Sequence, residues 1–131
     1  MKPTFLRLWS VTLIFLIWGI HTLASFFYWY DIFPWFDKFM HFSGGFWLAI
    51  SFLWVTHTYI PEREPPFKKY SFIILLVLIV SLLWEIYEFG VQGLVSVTTL
   101  ANLPDSRSDL FFDLLGGTVG YLLAIKNNKI L

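Results

Sequence analysis

The chain has 131 residues, enough for one domain, and no cysteine, which excludes disulfides and thiolate chemistry. It is 57% hydrophobic and 21% aromatic with only 14% charged, too little polar surface to keep a soluble helical core dissolved. A formal net charge of zero offers nothing to draw in nucleic acid.

Four apolar stretches reach the roughly 20 residues that a helix needs to cross a bilayer. They lie at about 8–29, 36–59, 70–91 and 108–125. The first is too long for the apolar segment of a signal peptide, and its small pair Ala24-Ser25 runs into FFYWY, a poor cleavage context, so it is expected to be a retained helix. DIFPW (31–35) forms a short connection, with Pro34 suited to a first helical turn. PEREPPFKK (61–69) joins the second and third stretches, and its three prolines predict no helix there. The connection at about 92–107 is longer and partly apolar (GLVSVTTLANLP), so it either lies along the interface or dips back into the protein. The expected fold is all-α: an integral-membrane four-helix bundle, one transmembrane domain over 1–131.

Basic residues set the expected orientation, because cytoplasmic loops collect lysine and arginine. With both termini in the cytoplasm of a cell's inner or plasma membrane, the inner side holds Lys2, Arg7, Arg63, Lys68, Lys69, Lys126 and Lys129, seven of the 9 basic residues. The outer side keeps Lys38 and Arg107. Tyr28, Trp29, Tyr30 and Trp35 then form an outer aromatic belt, with Tyr59 and Tyr70 inside.

This orientation places the acids by depth. Asp37 and His41 are four apart on the second span, Glu85 and Glu88 three apart on the third, and Asp109 and Asp113 four apart on the fourth. Each pair therefore shares a helix face. At a rise of about 1.5 Å per residue, His41, Glu85 and Asp113 sit on the order of 10 Å below the outer surface. Asp37, Glu88 and Asp109 lie nearer the mouth, and His21 on the first span reaches a similar depth. An ionised group at the centre of a spanning helix costs about 2.5–3.5 kcal/mol, so these side chains are expected to face one another or a wet cavity. Gly44, Gly45, Gly116, Gly117 and Gly120 share those faces and let the second and fourth spans approach closely.

Ordinary structural roles compete at every position. Asp109 follows Ser106 by three, the spacing of a capping box. Asp37 stands near a helix start, where the dipole favours an acid. Glu88 can reach the interface, and His41 can be satisfied by Asp37. His21 is alone on an apolar helix, a structural position more often than a ligand. Arg107 suits a snorkelling anchor as well as an ion pair, and the glycines suit packing.

Clustered carboxylates resolve their repulsion by protonation, by pairing with a cationic side chain, or by binding a metal. The acids outnumber the cations available in this layer. Oxygen ligands with one or two imidazoles suit a divalent ion such as Mg, Mn, Zn or Fe. A carboxyl–imidazole cluster serves proton transfer equally well.

Three segments in order, DKFMHFSGGF, WEIYEFG and DSRSDLFFDLLGGTVG, resemble the pattern of YjdF-type small inner-membrane proteins and, more loosely, the VanZ-like family. The similarity spans about 36–121. It carries over to Asp37, Lys38, His41, Gly45, Trp84, Glu85, Glu88, Asp105, Asp109, Asp113 and Gly117. The chain departs from the VanZ-like form in having W-E-x-x-E as its middle element. The resemblance implies a polytopic membrane protein and no particular reaction. Ser106-Arg107 with Asp113 is faintly similar to lipid phosphatases of the phosphatidic-acid type, whose histidines are missing from this segment.

These observations favour a metal-dependent membrane enzyme, a hydrolase candidate, acting on a lipid or lipid-linked substrate. The expected ligands are His41, Glu85, Glu88, Asp109 and Asp113, with Glu85, Asp113 and Arg107 in catalysis and Asp37 and His21 supporting the ligands from behind. Two other classes compete: proton or cation transport, for which a second copy of the chain could complete the path, and a non-catalytic scaffold.

Overall fold

The structure is a computed structural model that describes residues 3–59, 65–95 and 103–127; the side chains of 3, 92–95, 103–105 and 127 are outside that description. Among the described residues five helices follow in order: α1 (Pro3–Phe26), α2 (Trp29–Ile32), α3 (Phe36–Tyr59), α4 (Pro66–Val95) and α5 (Leu103–Asn127). Four of them are long and apolar enough to cross a membrane, and no strand occurs among the described residues. The all-α membrane fold is therefore as the composition requires.

Helix boundaries depart from the hydrophobic boundaries in three places, each with a local cause. The first span ends at Phe26 rather than 29, because Tyr28 takes a left-handed backbone (φ 59°) that stops α1 and begins the single turn of α2. That conformation costs a non-glycine residue roughly 1–2 kcal/mol. Asp31 and Ile32, expected in a connection, therefore lie in a helix. Residues 66–69, expected to be non-helical, form the first turn of α4, since a proline at the first helical position lacks only an N–H that has no helical partner there. The Lys69 amide donates back to the Pro65 carbonyl at 3.2 Å, closing that turn. The third correction concerns Ser106. It lies inside α5, which starts at Leu103, so Asp109 is not the third residue of a helix capped by Ser106. The path expected for 92–107 falls partly on 96–102, outside the described residues.

α3 is the hub of the bundle. It packs most extensively on α5 and also touches α1, α2 and α4; α4 packs on α5 as well. The core forms away from the start of α3, from Leu6, Ala49, Ile50, Leu53, Ile73, Val77, Tyr121 and Ala124. Polar clips hold the same region. The Trp47 indole donates to the Ser10 carbonyl at 2.9 Å, the Ser10 and Ser51 hydroxyls meet at 2.6 Å, and the Tyr121 hydroxyl donates to the Pro66 carbonyl at 2.8 Å. Outward faces are apolar, as in Phe15, Trp18, Leu75, Leu83, Ile86 and Leu122, which suits contact with acyl chains.

The α3–α5 contact is made backbone to backbone. A Cβ at Gly45 would stand 1.9 Å from the Asp113 carbonyl oxygen, and one at Gly116 2.0 Å from the Phe42 carbonyl oxygen. No side chain fits at either position. Gly45→Ala is expected to lower stability by about 1–3 kcal/mol through overpacking. Gly19→Ala, whose Cβ meets nothing within 4 Å, is expected to hold or gain up to about 1 kcal/mol from helix propensity. Thermal unfolding of the two variants in detergent micelles checks this; equal melting temperatures would contradict the close approach.

Candidate functional site

α1 and α4 end, and α3 and α5 begin, at the same end of the bundle, so this end collects the acidic residues of three helices. His41 is their meeting point. It lies one turn into α3 beyond Asp37 and is buried, with 8% of its surface exposed. The Asp113 carbonyl and carboxylate flank the glycine pair: the carbonyl lies against Gly45, and Oδ1 lies 3.9 Å from where a Gly44 Cβ would be. The close helix approach thus brings Asp113 to the imidazole.

The His41 Nδ1–H donates to Asp113 Oδ2 at 3.2 Å. On the other side of the ring, Nε2 stands 3.9 Å from Asp37 Oδ1 and 4.0 Å from Asp109 Oδ2. Asp109 and Asp113 are as buried as the imidazole, at 4% and 5% exposed, while Asp37 is partly open. Ser108 donates to Asp109 Oδ1 at 3.4 Å. α4 closes the third side: one ligand-type atom from each of His41, Glu85 and Glu88 lies within 4.8 Å of the others. The Glu85 Oε1 is buried and makes no hydrogen bond.

The structure therefore gathers Asp37, His41, Glu85, Glu88, Asp109 and Asp113 around one ring. Two details differ from the expected placement. The carboxylate that holds the ring is Asp113, not Asp37, which faces Nε2 together with Asp109. His21 stays outside the cluster, exposed, with its Nδ1 2.7 Å from the Tyr30 hydroxyl. Arg107 is exposed near the start of α5. The side chain of Asp105 is outside the described residues. Of the glycines, Gly45, Gly116 and Gly120 abut α3–α5 backbone, and Gly117 receives Val77 of α4.

Tyr30 was hidden from sequence reasoning among the aromatic residues of a membrane belt. It sits edge-on to Phe36, whose ring also meets Trp29 and Trp35, so an aromatic cluster stands beside the acids where α3 begins. Burial first, and then the negative charges of Asp37 and Glu88, push its phenol up to about 12. Its only available signal was its position seven residues before Asp37, in a segment short enough to fold back over α3.

The family model described as "Predicted membrane protein (DUF2238)" matches residues 4–129, nearly the whole chain. The chain belongs to that family. Neither the curated proteins nor the solved structures contain a match to it. As a DUF2238 member it is a membrane protein whose four apolar helices enclose a buried His/Asp cluster. The YjdF-type and VanZ-like resemblances add no further assignment to that membership.

The Tyr30 environment carries a pH expectation. A phenol whose folded value lies above its ordinary 10.0 contributes stability below pH 10, and that contribution is lost as pH rises from 10 toward 12. Ultraviolet titration of wild type against Tyr30→Phe is expected to assign an ionisation near pH 12 to Tyr30. A Tyr30 phenolate already formed at pH 10 contradicts the buried, acid-flanked placement.

Proposed function

We propose that the protein is a membrane enzyme that holds a divalent cation at His41 Nε2 and acts on a lipid or lipid-linked substrate, by hydrolysis or phosphate-group chemistry. One observation carries this reading. Two ligand atoms each about 2.1 Å from a shared ion stand at most about 4.2 Å apart. Nε2 meets that limit with both Asp37 and Asp109, at 3.9 and 4.0 Å. A cation there would attract both carboxylates and the ring lone pair at once, and such attraction is strong where burial limits screening.

The donor set fits such an ion in two further respects. A metal-ligating histidine usually gives its second N–H to a carboxylate, which fixes the tautomer and aims the lone pair. The 3.2 Å bond from Nδ1 to Asp113 supplies that arrangement. The Glu85 carboxylate, whose buried Oε1 makes no hydrogen bond, offers α4's contact to the ion or to a water in its shell. Oxygen-rich ligation with a single imidazole suits Mg2+ or Mn2+, and accommodates Zn2+ or Fe2+.

In this reading the cation polarises a substrate oxygen and lowers the pKa of water. The chain's own residues do the rest. Asp113 holds the proton on Nδ1. Asp37 and Asp109 would hold the ion beside Nε2. Glu85 or Glu88 takes a proton from water, and Arg107 at the mouth engages an anionic head group. With both termini cytoplasmic, as the basic residues suggest, the site opens outward and meets lipid or a lipid-linked intermediate from the outer leaflet. Transport fits less well, because both groups of described side chains spaced to share an ion include His41 and so form one locus rather than a path.

Metal analysis of the detergent-purified protein tests the proposal. Wild type is expected to retain one divalent ion per chain. Asp109→Asn and Glu85→Gln are expected to lose it, and Asp113→Asn to weaken binding about 10–100-fold. The exposed Thr58, at the far end of α3, serves as a control: Thr58→Ala should bind as wild type does. Wild-type protein that binds no divalent ion at any tested concentration would sink the reading.

A further inference from the structure

Four of the described helical serines and threonines find a partner in the same way. Thr22, Ser43, Ser51 and Thr58 each donate to the carbonyl four residues earlier, at 2.8 Å in every case. This is the usual way a hydroxyl in an apolar helix satisfies itself. Ser81, in the middle of α4, does not. It is 2% exposed, and its Oγ makes no hydrogen bond. The Glu85 Oε1, one turn further along α4, is also buried and without a hydrogen bond.

The two orphan oxygens share a face, being four residues apart. That face packs on α5. One turn before Ser81, Val77 lies against Gly117, where a Cβ would stand 3.3 Å from its methyl carbons. α4 and α5 run in opposite directions, so one turn toward the site on each helix sets Ser81 level with Asp113. A further turn sets Glu85 level with Asp109. By this register Ser81 lies one turn below Glu85, on the side of the cluster that faces the core residues Ile73 and Val77.

A hydroxyl is a poor direct ligand beside five carboxylates, but a good partner for water in a cation's inner shell. Mg2+ and Mn2+ keep part of their hydration shell when bound by protein, whereas Zn2+ favours four close ligands. We propose that Ser81 is the floor of the cation site, where its Oγ and the Glu85 Oε1 together hold a water of a partly hydrated hard cation, Mg2+ or Mn2+. This rests on the cation-site reading above and specifies the ion class and a residue that selects it. Ser81 touches the ion's water and not the ion, so it is a positioning and specificity residue.

Titration calorimetry with MnCl2, MgCl2 and ZnCl2 on the full chain in micelles provides the test, using wild type, Ser81→Ala and Ser81→Cys. Ser81→Ala is expected to weaken Mn2+ and Mg2+ about tenfold and to leave Zn2+ within about twofold. Ser81→Cys, whose thiol is a weaker hydrogen-bond partner for that water, is expected to weaken Mn2+ and Mg2+ as Ser81→Ala does and so to raise the ratio of Zn2+ to Mn2+ affinity by about tenfold. A purely structural role for Ser81 would move melting temperature and leave these ratios unchanged. Mn2+ and Zn2+ affinities that are unaltered, or fall together, in both variants overturn the floor assignment while the cation site stands. A wild-type chain that binds none of the three ions overturns both.

Discussion

Everything at the polar end of this bundle depends on two helix backbones being in contact. Lipid gives helices no hydrophobic reason to associate, so van der Waals packing and polar contacts must hold them together. Gly45 and Gly116 leave room for carbonyl oxygens of the opposite helix where a side chain would otherwise project. The same few residues carry the chemistry: Asp113 supplies the carbonyl lodged against Gly45 and the carboxylate bonded to His41. Packing and site geometry are one feature here. A helix separation larger by the width of a methyl group would break the imidazole–carboxylate bond.

That contact concentrates charge in an unfavourable medium. Five carboxylates from three helices surround a single imidazole. Interhelical hydrogen bonds in membranes contribute only about 0.6–2 kcal/mol each. Placing several ionised acids in a spanning layer costs more than that, so polar adhesion alone explains the cluster poorly. The proposed cation would change the balance, because it would turn mutual repulsion among acids into shared attraction. The unpartnered oxygens on α4 point the same way, since buried polar atoms normally find a partner within the protein.

Much of this was legible in the sequence, and the failures have physical reasons. The spans were visible because crossing a bilayer demands long apolar runs. Their ends were not, because a helix does not stop where hydrocarbon does: α4 starts at Pro66 and α5 at Leu103, several residues outside the apolar runs. Taking the apolar boundary for the helix boundary is what made Ser106 resemble a cap. The gathering of His41, Glu85, Glu88, Asp109 and Asp113 followed from depth alone, since the end of a span fixes how deep each residue lies. Depth carries no information about helix rotation. The local spacing of Asp37 and His41 suggested that this aspartate holds the ring, whereas the partner of Nδ1 is 72 residues away in sequence. Tyr30 was obscured because composition does not separate an aromatic of a membrane belt from one that stands beside an acidic cluster. Ser81 gave no signal at all, because a lone serine in an apolar helix is ordinary until its hydroxyl is found without a carbonyl.

The 72-residue gap between His41 and Asp113 also bears on how the chain is made. A ribosome finishes α3 well before it reaches α5, so the imidazole enters the bilayer with Asp37 as its only nearby carboxylate. α4 follows with two glutamates that have no α5 to pack against. The last helix to be synthesised brings both the remaining acids and the glycine face that seats them. Insertion of α5 is therefore the event that completes the polar end, and a chain truncated before it would leave His41 with Asp37 and the two glutamates of α4 but without the acids and glycines of the last span.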